Sequence, residues 1–265
     1  MSRSLSFTAA EEQLVKQLYK ELKFALQSFT LEEYQKIFAE ASKDSIKSTI
    51  KSKAEVANKL KFMAVGIYDR YKNKGVKEAA KEDIDKIKSG IEELPTKVNN
   101  IYYNFCLKSN EEKIEIIASL ILTASIVFAA GGGTDFEGGL PDLDIAIGGI
   151  DAHRNIFSHS ILVGVVGEFV LRLAYGVLEK VFSRLPQKHH FLWDRVGGFL
   201  QRNKSNTIMA IWMGIGIHLI QDAGLFAGAT KPYVGLPVSM PMEFHQSLFA
   251  ANGIAATGFG IGSKL

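Results

Sequence analysis

Residues 116–133 carry no formal charge over 18 consecutive positions (IIASLILTASIVFAAGGG). A helix that crosses a bilayer needs about 20 predominantly apolar residues, so this segment is near the lower limit for a span. Residues 155–167, 205–221 and 246–263 are further apolar segments. Four such segments in 152 residues predict a compact membrane bundle, although a helix that is apolar on all sides also occurs in the core of a soluble protein.

The charged residues are distributed unevenly along the chain. Residues 1–113 contain 21 Lys and Arg and 17 Asp and Glu, whereas residues 114–265 contain 10 and 11. The first part is therefore expected to be solvated, and the second to be buried or to face lipid. The net charge of +3 is too small to indicate nucleic-acid binding. The single cysteine, Cys106, excludes an intrachain disulfide and a cysteine-based zinc site.

Helix signals dominate the first part of the chain, and strand signals are weak throughout. Thr8 with Glu11, and Thr30 with Glu33, have the spacing of capping boxes that start helices. We expect a first helix after Thr8, a second over about 31–41, and a third that ends near Gly75. A fourth is expected to begin near residue 76 and to break at Pro95, followed by a short stretch through residues 101–105. Residues 1–10 lack the apolar run of a signal peptide, so any membrane insertion would use an internal segment.

These patterns predict an all-α fold with two domains. Residues 1–112 would form a charged, soluble helical bundle with an interaction or regulatory role. Residues 113–265 would form an apolar, transmembrane helical bundle that contains a metal site.

The polar residues that suggest chemistry lie within this second part. The segment 138–160 reads GGLPDLDIAIGGIDAHRNIFSHS, and HLIQD follows at 218–222. Two residues four positions apart on a helix share one face, so His218 and Asp222 can reach one ion. If Asp142 and Asp144 lie on an extended segment, both side chains point to the same side.

Burial strengthens this interpretation. Carboxylates and imidazoles in apolar segments are costly unless they are paired or bind a metal. Taken singly, each such residue could be a helix cap or a hydrogen-bonded core histidine; taken together they indicate a metal site. Oxygen and imidazole ligands suit one or two divalent ions, and we expect zinc or manganese. The predicted ligands are Asp142, Asp144, His153, His159, His218 and Asp222.

The motifs PDLD, HRNIFSHS and HLIQD resemble those of the YdjM-type membrane-bound metal-dependent hydrolases, over residues 115–230. The resemblance implies that the same six residues are metal ligands and that the reaction is a hydrolysis. It does not cover residues 1–112, which look like an added domain. The downstream glycine and proline elements of the family appear only loosely, as Gly228, Pro232, Gly235 and Pro237.

The predicted function is therefore metal-dependent hydrolysis of a phosphoester in a phospholipid or lipid-linked substrate. Asp144 would be a ligand or general base, and Arg154 would hold a phosphoryl oxygen. Ser158 or Ser160 would orient a ligand. We expect the enzyme in the inner (cytoplasmic) membrane, with its N-terminal domain in the cytoplasm. Membrane lipid is the expected partner, together with a protein partner or a second copy that binds the N-terminal domain, and no nucleic acid.

The three remaining histidines lie outside the predicted ligand set, and two other functions fit the same sequence features. His245 is expected at the surface near a membrane boundary, with a ligand or general-acid role as alternatives; His189 and His190 are expected in a solvated loop. A membrane pore or toxin-like effector would use residues 1–112 as a sensor and the Gly-rich C-terminal segment for close helix packing. A soluble zinc phospholipase C-like or nuclease-like enzyme is the other alternative.

Overall fold

The protein is almost entirely helical. The computed structural model describes residues 8–134, 138–149, 153–225, 232–236 and 239–262, with only the backbone at residues 60, 63, 64 and 87. The helices in these ranges are α1 (Ala9–Gln27), α2 (Leu31–Lys74), α3 (Val76–Cys106), α4 (Asn110–Gly131), α5 (Leu143–Gly148), α6 (Ile161–Phe182), α7 (Leu192–Asp222) and α8 (Met242–Gly262). In the same ranges, β-pairing is limited to one isolated bridge between Asn155 and Val234. The all-α prediction is confirmed.

Capping boxes define the starts of three helices. Thr8 and Thr30 each accept from the backbone of the glutamate three residues later, whose carboxylate accepts in return from the cap N–H. Ser109 forms the same arrangement with Glu112 and so starts α4 at the charged-to-apolar transition. Each box satisfies backbone donors that a helix end otherwise leaves exposed.

Two predicted helix breaks are wrong. Residues 31–74 form one continuous helix, because the segment between the two expected helices contains neither proline nor glycine. Helix α3 also continues through Pro95. A proline inside a helix removes one backbone hydrogen bond and costs about 3 kcal/mol, which the rest of this 31-residue helix offsets.

Helix α7 is the centre of the apolar core, with α4, α6 and α8 packed around it. Trp212, Ile215 and Leu219 of α7 are fully buried, and Phe249 of α8 is buried against them. Gly214 allows α4 to approach closely, since a Cβ at this position would clash with the backbone carbonyl of Val127. This packing fixes the C-terminal end of α7 against the C-terminal end of α4.

Two of the described helices, α4 and α6, are long and apolar enough to cross a membrane. Only 11% and 17% of their most apolar windows are buried inside the protein, so most of this apolar surface faces outward. By length and composition alone this is weak evidence, because the core helix of a soluble protein can pass the same test.

The expectation of four membrane segments is corrected to two candidate spans. The segment 205–221 lies in α7 and forms the protein core, and α8, which contains most of the segment 246–263, also falls outside the spanning criterion. The segment 155–167 is partly a loop, and its apolar helix continues to Phe182 past Glu168.

Glu168 is compatible with an apolar helix because its charge is neutralised inside the protein. Its carboxylate accepts from Trp212 Nε1 at 2.6 Å and Arg172 Nε at 2.9 Å, and it pairs with Lys53 Nζ of α2 at 2.7 Å. A buried carboxylate with several charged and neutral donors avoids the cost of an unpaired charge. The cluster holds α2 against α6.

A second contact joins α1 to the loop before α7. Glu21 accepts from the backbone N–H of His190 and from Trp193 Nε1. His189, also in this loop, bonds the Pro186 carbonyl and Asp194, and both histidines are only partly exposed. The interpretation of these histidines as simply solvated is therefore corrected, whereas the domain boundary after residue 112 stays a prediction.

Candidate metal centre

Three separate segments bring the six predicted ligands together at one end of α7. Asp142 and Asp144 lie at the start of α5, and His218 and Asp222 lie in the last turns of α7. His153 and His159 lie in the loop that leads into α6. Pairwise contacts of 3.0–3.7 Å link all six into one cluster. Within the described residues two groups could each hold a metal ion: Asp142 with His153 and His159, and His159 with His218 and Asp222.

The Asp-x-Asp segment is helical, so the extended conformation expected from its sequence is wrong. Asp142 immediately precedes α5, and Asp144 lies in its first turn. Gly139 makes the turn before them possible: its φ is +80°, and a Cβ there would collide with the backbone of residues 130–132. The Leu140 N–H then donates to the Ala130 carbonyl at 3.0 Å, which docks the turn on the end of α4.

Four short distances between histidine nitrogens and carboxylate oxygens link Asp142, His159, His218 and Asp222. Asp142 Oδ1 lies 3.0 Å from His159 Nε2 and 3.7 Å from His218 Nε2. Asp222 Oδ2 lies 3.5 Å from each of the same two nitrogens. Ligands at about 2.1 Å from a tetrahedral zinc ion are about 3.4 Å apart. These four nitrogen–oxygen distances are close to that spacing, and His159 is shared by the two groups that could each hold an ion.

The histidine orientations also suit a metal. His218 Nδ1 lies 3.0 Å from the carbonyl of Gly131, which can only accept, so the proton is on Nδ1 and the lone pair on Nε2. That Nε2 is buried and makes no hydrogen bond to the described residues. His159 Nδ1 lies 2.9 Å from the Ser158 hydroxyl, leaving its Nε2 for the shared point. Fixing one ring nitrogen so that the other can bind is the usual support for metal-ligating histidines.

Asp144 and His153 complete the cluster on its outer side. His153 Nδ1 lies 3.4 Å from Asp142 Oδ1 and 3.3 Å from Asp144 Oδ1. Asp144 Oδ2 accepts from Asn155 Nδ2 at 3.1 Å and from the Ser158 hydroxyl. In its group with Asp142 and His159, His153 Nδ1 can serve as a ligand when an ion replaces its hydrogen bond to Asp144. Asp144 orients His153, and Asp144 and Ser158 together orient His159. Ser160 instead caps α6, because its hydroxyl accepts from the Leu162 N–H.

The electrostatics of the cluster favour a cation. Burial disfavours the charged form of His218, but the neighbouring Asp222 carboxylate raises the pKa of the imidazole above its ordinary value. Burial also opposes ionisation of Asp142 and Asp222, yet the adjacent His159 and His218 imidazoles, when protonated, hold the pKa of each carboxyl below its usual range. Three buried or half-buried carboxylates in one place are stabilised by positive charge, which a divalent ion could supply.

Arg154 is next to the cluster in an unusual backbone conformation. Its φ is +63°, a left-handed value that a non-glycine residue adopts at a cost. Its carbonyl accepts from the Val234 N–H at 3.1 Å, and this contact helps to hold the backbone. Its Nε lies 3.7 Å from Asp222 Oδ1 and makes no hydrogen bond to the described residues. The Arg154 guanidinium therefore lies beside the cluster, next to the Asp222 carboxylate.

Tyr233 is a supporting residue that sequence reasoning missed. Its hydroxyl donates to the backbone carbonyl of His159 at 2.6 Å, and its ring stacks on Phe249 at 3.9 Å. Burial and the nearby Asp222 carboxylate raise the pKa of the phenol, which keeps it a neutral donor. Buried His245 Nδ1 in turn accepts from the Tyr233 N–H at 3.1 Å. The expectation that His245 lies at the surface is wrong.

Of the four downstream glycine and proline residues, Gly228 and Pro237 lie outside the described residues. Pro232 and Gly235 flank Tyr233 in the loop before α8. They belong to the segment whose Val234 pairs with the backbone at Arg154 and Asn155.

Comparison of the chain with family models, curated proteins and solved structures found no match. The resemblance to the YdjM-type hydrolases thus stays a prediction. The function of the protein has to be inferred from the geometry of the site.

Proposed function

We propose that the chain is a divalent-metal hydrolase that acts on a phosphoester of a lipid. The observation that supports this most is the set of four His–Asp contacts of 3.0–3.7 Å that link Asp142, His159, His218 and Asp222. A divalent ion bound there supplies a Lewis acid and lowers the pKa of a bound water toward neutrality. Hydrolysis is the reaction class that this combination serves most directly.

Arg154 and Asp144 would act on the substrate and the proton. The Arg154 guanidinium suits a phosphoryl oxygen because its planar donors match the oxygens of the anion. Asp144 remains ionised: burial opposes this, but hydrogen bonds from Ser158 and His153 outweigh it and lower the pKa of the carboxyl. In our proposal Asp144 accepts a proton from the attacking water while its bonds keep His153 and His159 aligned.

An apolar groove supports a lipid as the substrate. It has a volume of about 460 Å³ and runs between α5 and α6 from Asp144 and Ser158 outward. Leu143, Leu162 and Val166 line it. Because the polar end of the groove touches the predicted metal site and its walls are apolar, an acyl chain fits the groove while the head group reaches the ligands. The outward-facing apolar surfaces of α4 and α6 are consistent with a protein that meets its substrate in a membrane.

Hydrolysis of a phospholipid in mixed micelles would test the reaction. We expect turnover that requires zinc or manganese, stops with a chelator and returns when the ion is added back. Asp144→Asn should keep most of the metal and lose about 100-fold or more in rate, the range for removing a general base. His189→Ala, which removes an imidazole far from the site, should have full activity.

The groove can be tested separately. Val166→Gln should slow hydrolysis of a long-chain phospholipid but leave a small soluble phosphodiester unaffected. Val170→Gln, on an exposed position of the same helix outside the groove, is the matched control. Ion flux through liposomes that survives chelation, with no lipid hydrolysed, would contradict the proposal and favour a pore. Full metal-dependent activity on soluble diesters with none on lipids would refute the substrate class alone.

A further inference from the structure

Helix α3 presents an apolar seam that follows a strict heptad spacing. Starting at Ile84, apolar residues recur at alternating intervals of three and four positions to the end of the helix. The seam residues are Ile84, Ile87, Ile91, Leu94, Val98, Ile101 and Phe105, preceded by Ala80. A 3.5-residue repeat of this kind keeps one stripe facing a partner helix along a left-handed coiled coil.

Within the described part of the chain, α2 is the main neighbour of α3, and the side-chain hydrogen bonds between the two helices lie near the turn that joins them. Ala79 is buried there, and Asp83 pairs with Arg70 of α2 at 2.7 Å. The seam begins beside this contact, where Asp83 flanks it, and continues to the other end of the helix. Ile84, Ile91, Leu94, Val98 and Ile101 are 51–69% exposed. Apolar residues scattered singly over a surface are ordinary, but five exposed apolar residues on one stripe about 26 Å long mark a contact surface.

We infer that the α3 seam binds the same seam of a second copy of this chain, in antiparallel orientation. Antiparallel pairing about the centre of the seam places Ala80 opposite Phe105 of the second copy, and Ile84 opposite Ile101. A small residue then meets the largest one at each end. Parallel pairing would put two phenylalanines together at one end and two alanines at the other, which leaves crowding and a void respectively.

The residues beside the seam are compatible with this arrangement. In an antiparallel pair, the flanking positions place Lys81 opposite Tyr102 and Asp83 opposite Asn104 of the other copy. Lys88 then faces Pro95, so no cation meets a cation and no acid meets an acid. A cation beside an aromatic ring is attractive, whereas like charges across a helix pair would oppose association.

The mass of the full-length protein in detergent, measured by sedimentation with density matching, tests the inference. We expect a dimer for the wild type and a monomer for Ile91→Asp at the same concentration. The affinity of the Ile91→Asp chains for each other should be lower than that of the wild type by a factor of about 100 or more. Ser89→Asp adds the same charge two residues away, off the seam, and should remain a dimer. Helical circular dichroism of all three proteins controls for folding, and because Ile91 is exposed we expect it to be unchanged.

Crosslinking tests the orientation. In a Cys106→Ser background, a mixture of Ile91→Cys and Leu94→Cys proteins should form a disulfide between unlike chains more readily than either protein alone. Stronger crosslinking of each protein with itself would overturn the antiparallel arrangement. A monomeric wild type would overturn the inference altogether, and vesicle binding lost in Ile91→Asp would then assign the seam to a lipid surface.

Discussion

Replacement of His218 by alanine should sharply weaken metal binding. Its Nε2 is 3.5 Å from Asp222 Oδ2 and 3.7 Å from Asp142 Oδ1, and the Gly131 carbonyl fixes the ring. A structural zinc site with four ligands is worth about 10–16 kcal/mol, so one ligand corresponds to about 2.5–4 kcal/mol. At about 1.4 kcal/mol per tenfold change, the affinity should fall about 10²–10³-fold.

Competition with a zinc-binding dye measures this affinity directly. His218→Gln keeps most of the side-chain volume and separates loss of a ligand from loss of packing, since the residue is buried. His189→Ala should bind metal like the wild type. If both His218 variants are folded by circular dichroism and bind zinc within threefold of the wild type, the assignment of His218 as a ligand is refuted.

Three further outcomes are expected. Because the pKa of His218 is raised, a proton competes with the metal for this imidazole near neutral pH. Zinc affinity should therefore increase as the pH rises through that pKa and fall on acidification. A zinc affinity that does not change between pH 6 and 8, roughly the range in which histidine titrates, would contradict this. Gly214→Ala should lower the free energy of unfolding by about 1–3 kcal/mol, because the added Cβ clashes with the backbone of α4. Gly66→Ala has open space around the added Cβ and should be neutral or slightly stabilising. Thermal melts of both variants measure the difference. Tyr233→Phe keeps the ring stacking but removes the hydrogen bond to the His159 carbonyl, so zinc affinity should fall about 10-fold, and an unchanged affinity would show that this support is dispensable.

Local signals predicted the parts of the fold that depend on neighbouring residues. The capping boxes at Thr8 and Thr30 identified the starts of α1 and α2 because both partners are within three residues. The prediction of a helix break at Pro95 was wrong for the opposite reason. The proline does remove one backbone hydrogen bond, but the remaining contacts of this long helix offset that loss. Likewise, the apolar segment at 205–221 did not show whether its neighbours are lipid or protein, and α7 proves to be the core.

The sequence predicted which residues form the site, but it did not predict the hydrogen bonds that hold them in position. Asp and His in apolar segments indicated a shared ligand because each alone would be costly to bury. The contact between His218 and the Gly131 carbonyl spans 87 residues and depends on how α4 packs against α7. No pattern in the sequence encodes that distance. Tyr233 was missed for the same reason, since its hydroxyl reaches a backbone carbonyl 74 residues away.

Metal content measured together with X-ray absorption on the purified wild-type protein tests the central claim most directly. We predict at least one zinc or manganese ion per chain, coordinated by nitrogen and oxygen atoms at about 2.0–2.2 Å, with no sulfur. Folded protein that remains metal-free after incubation with excess zinc or manganese, or a bound ion whose absorption spectrum shows no imidazole, would contradict the account.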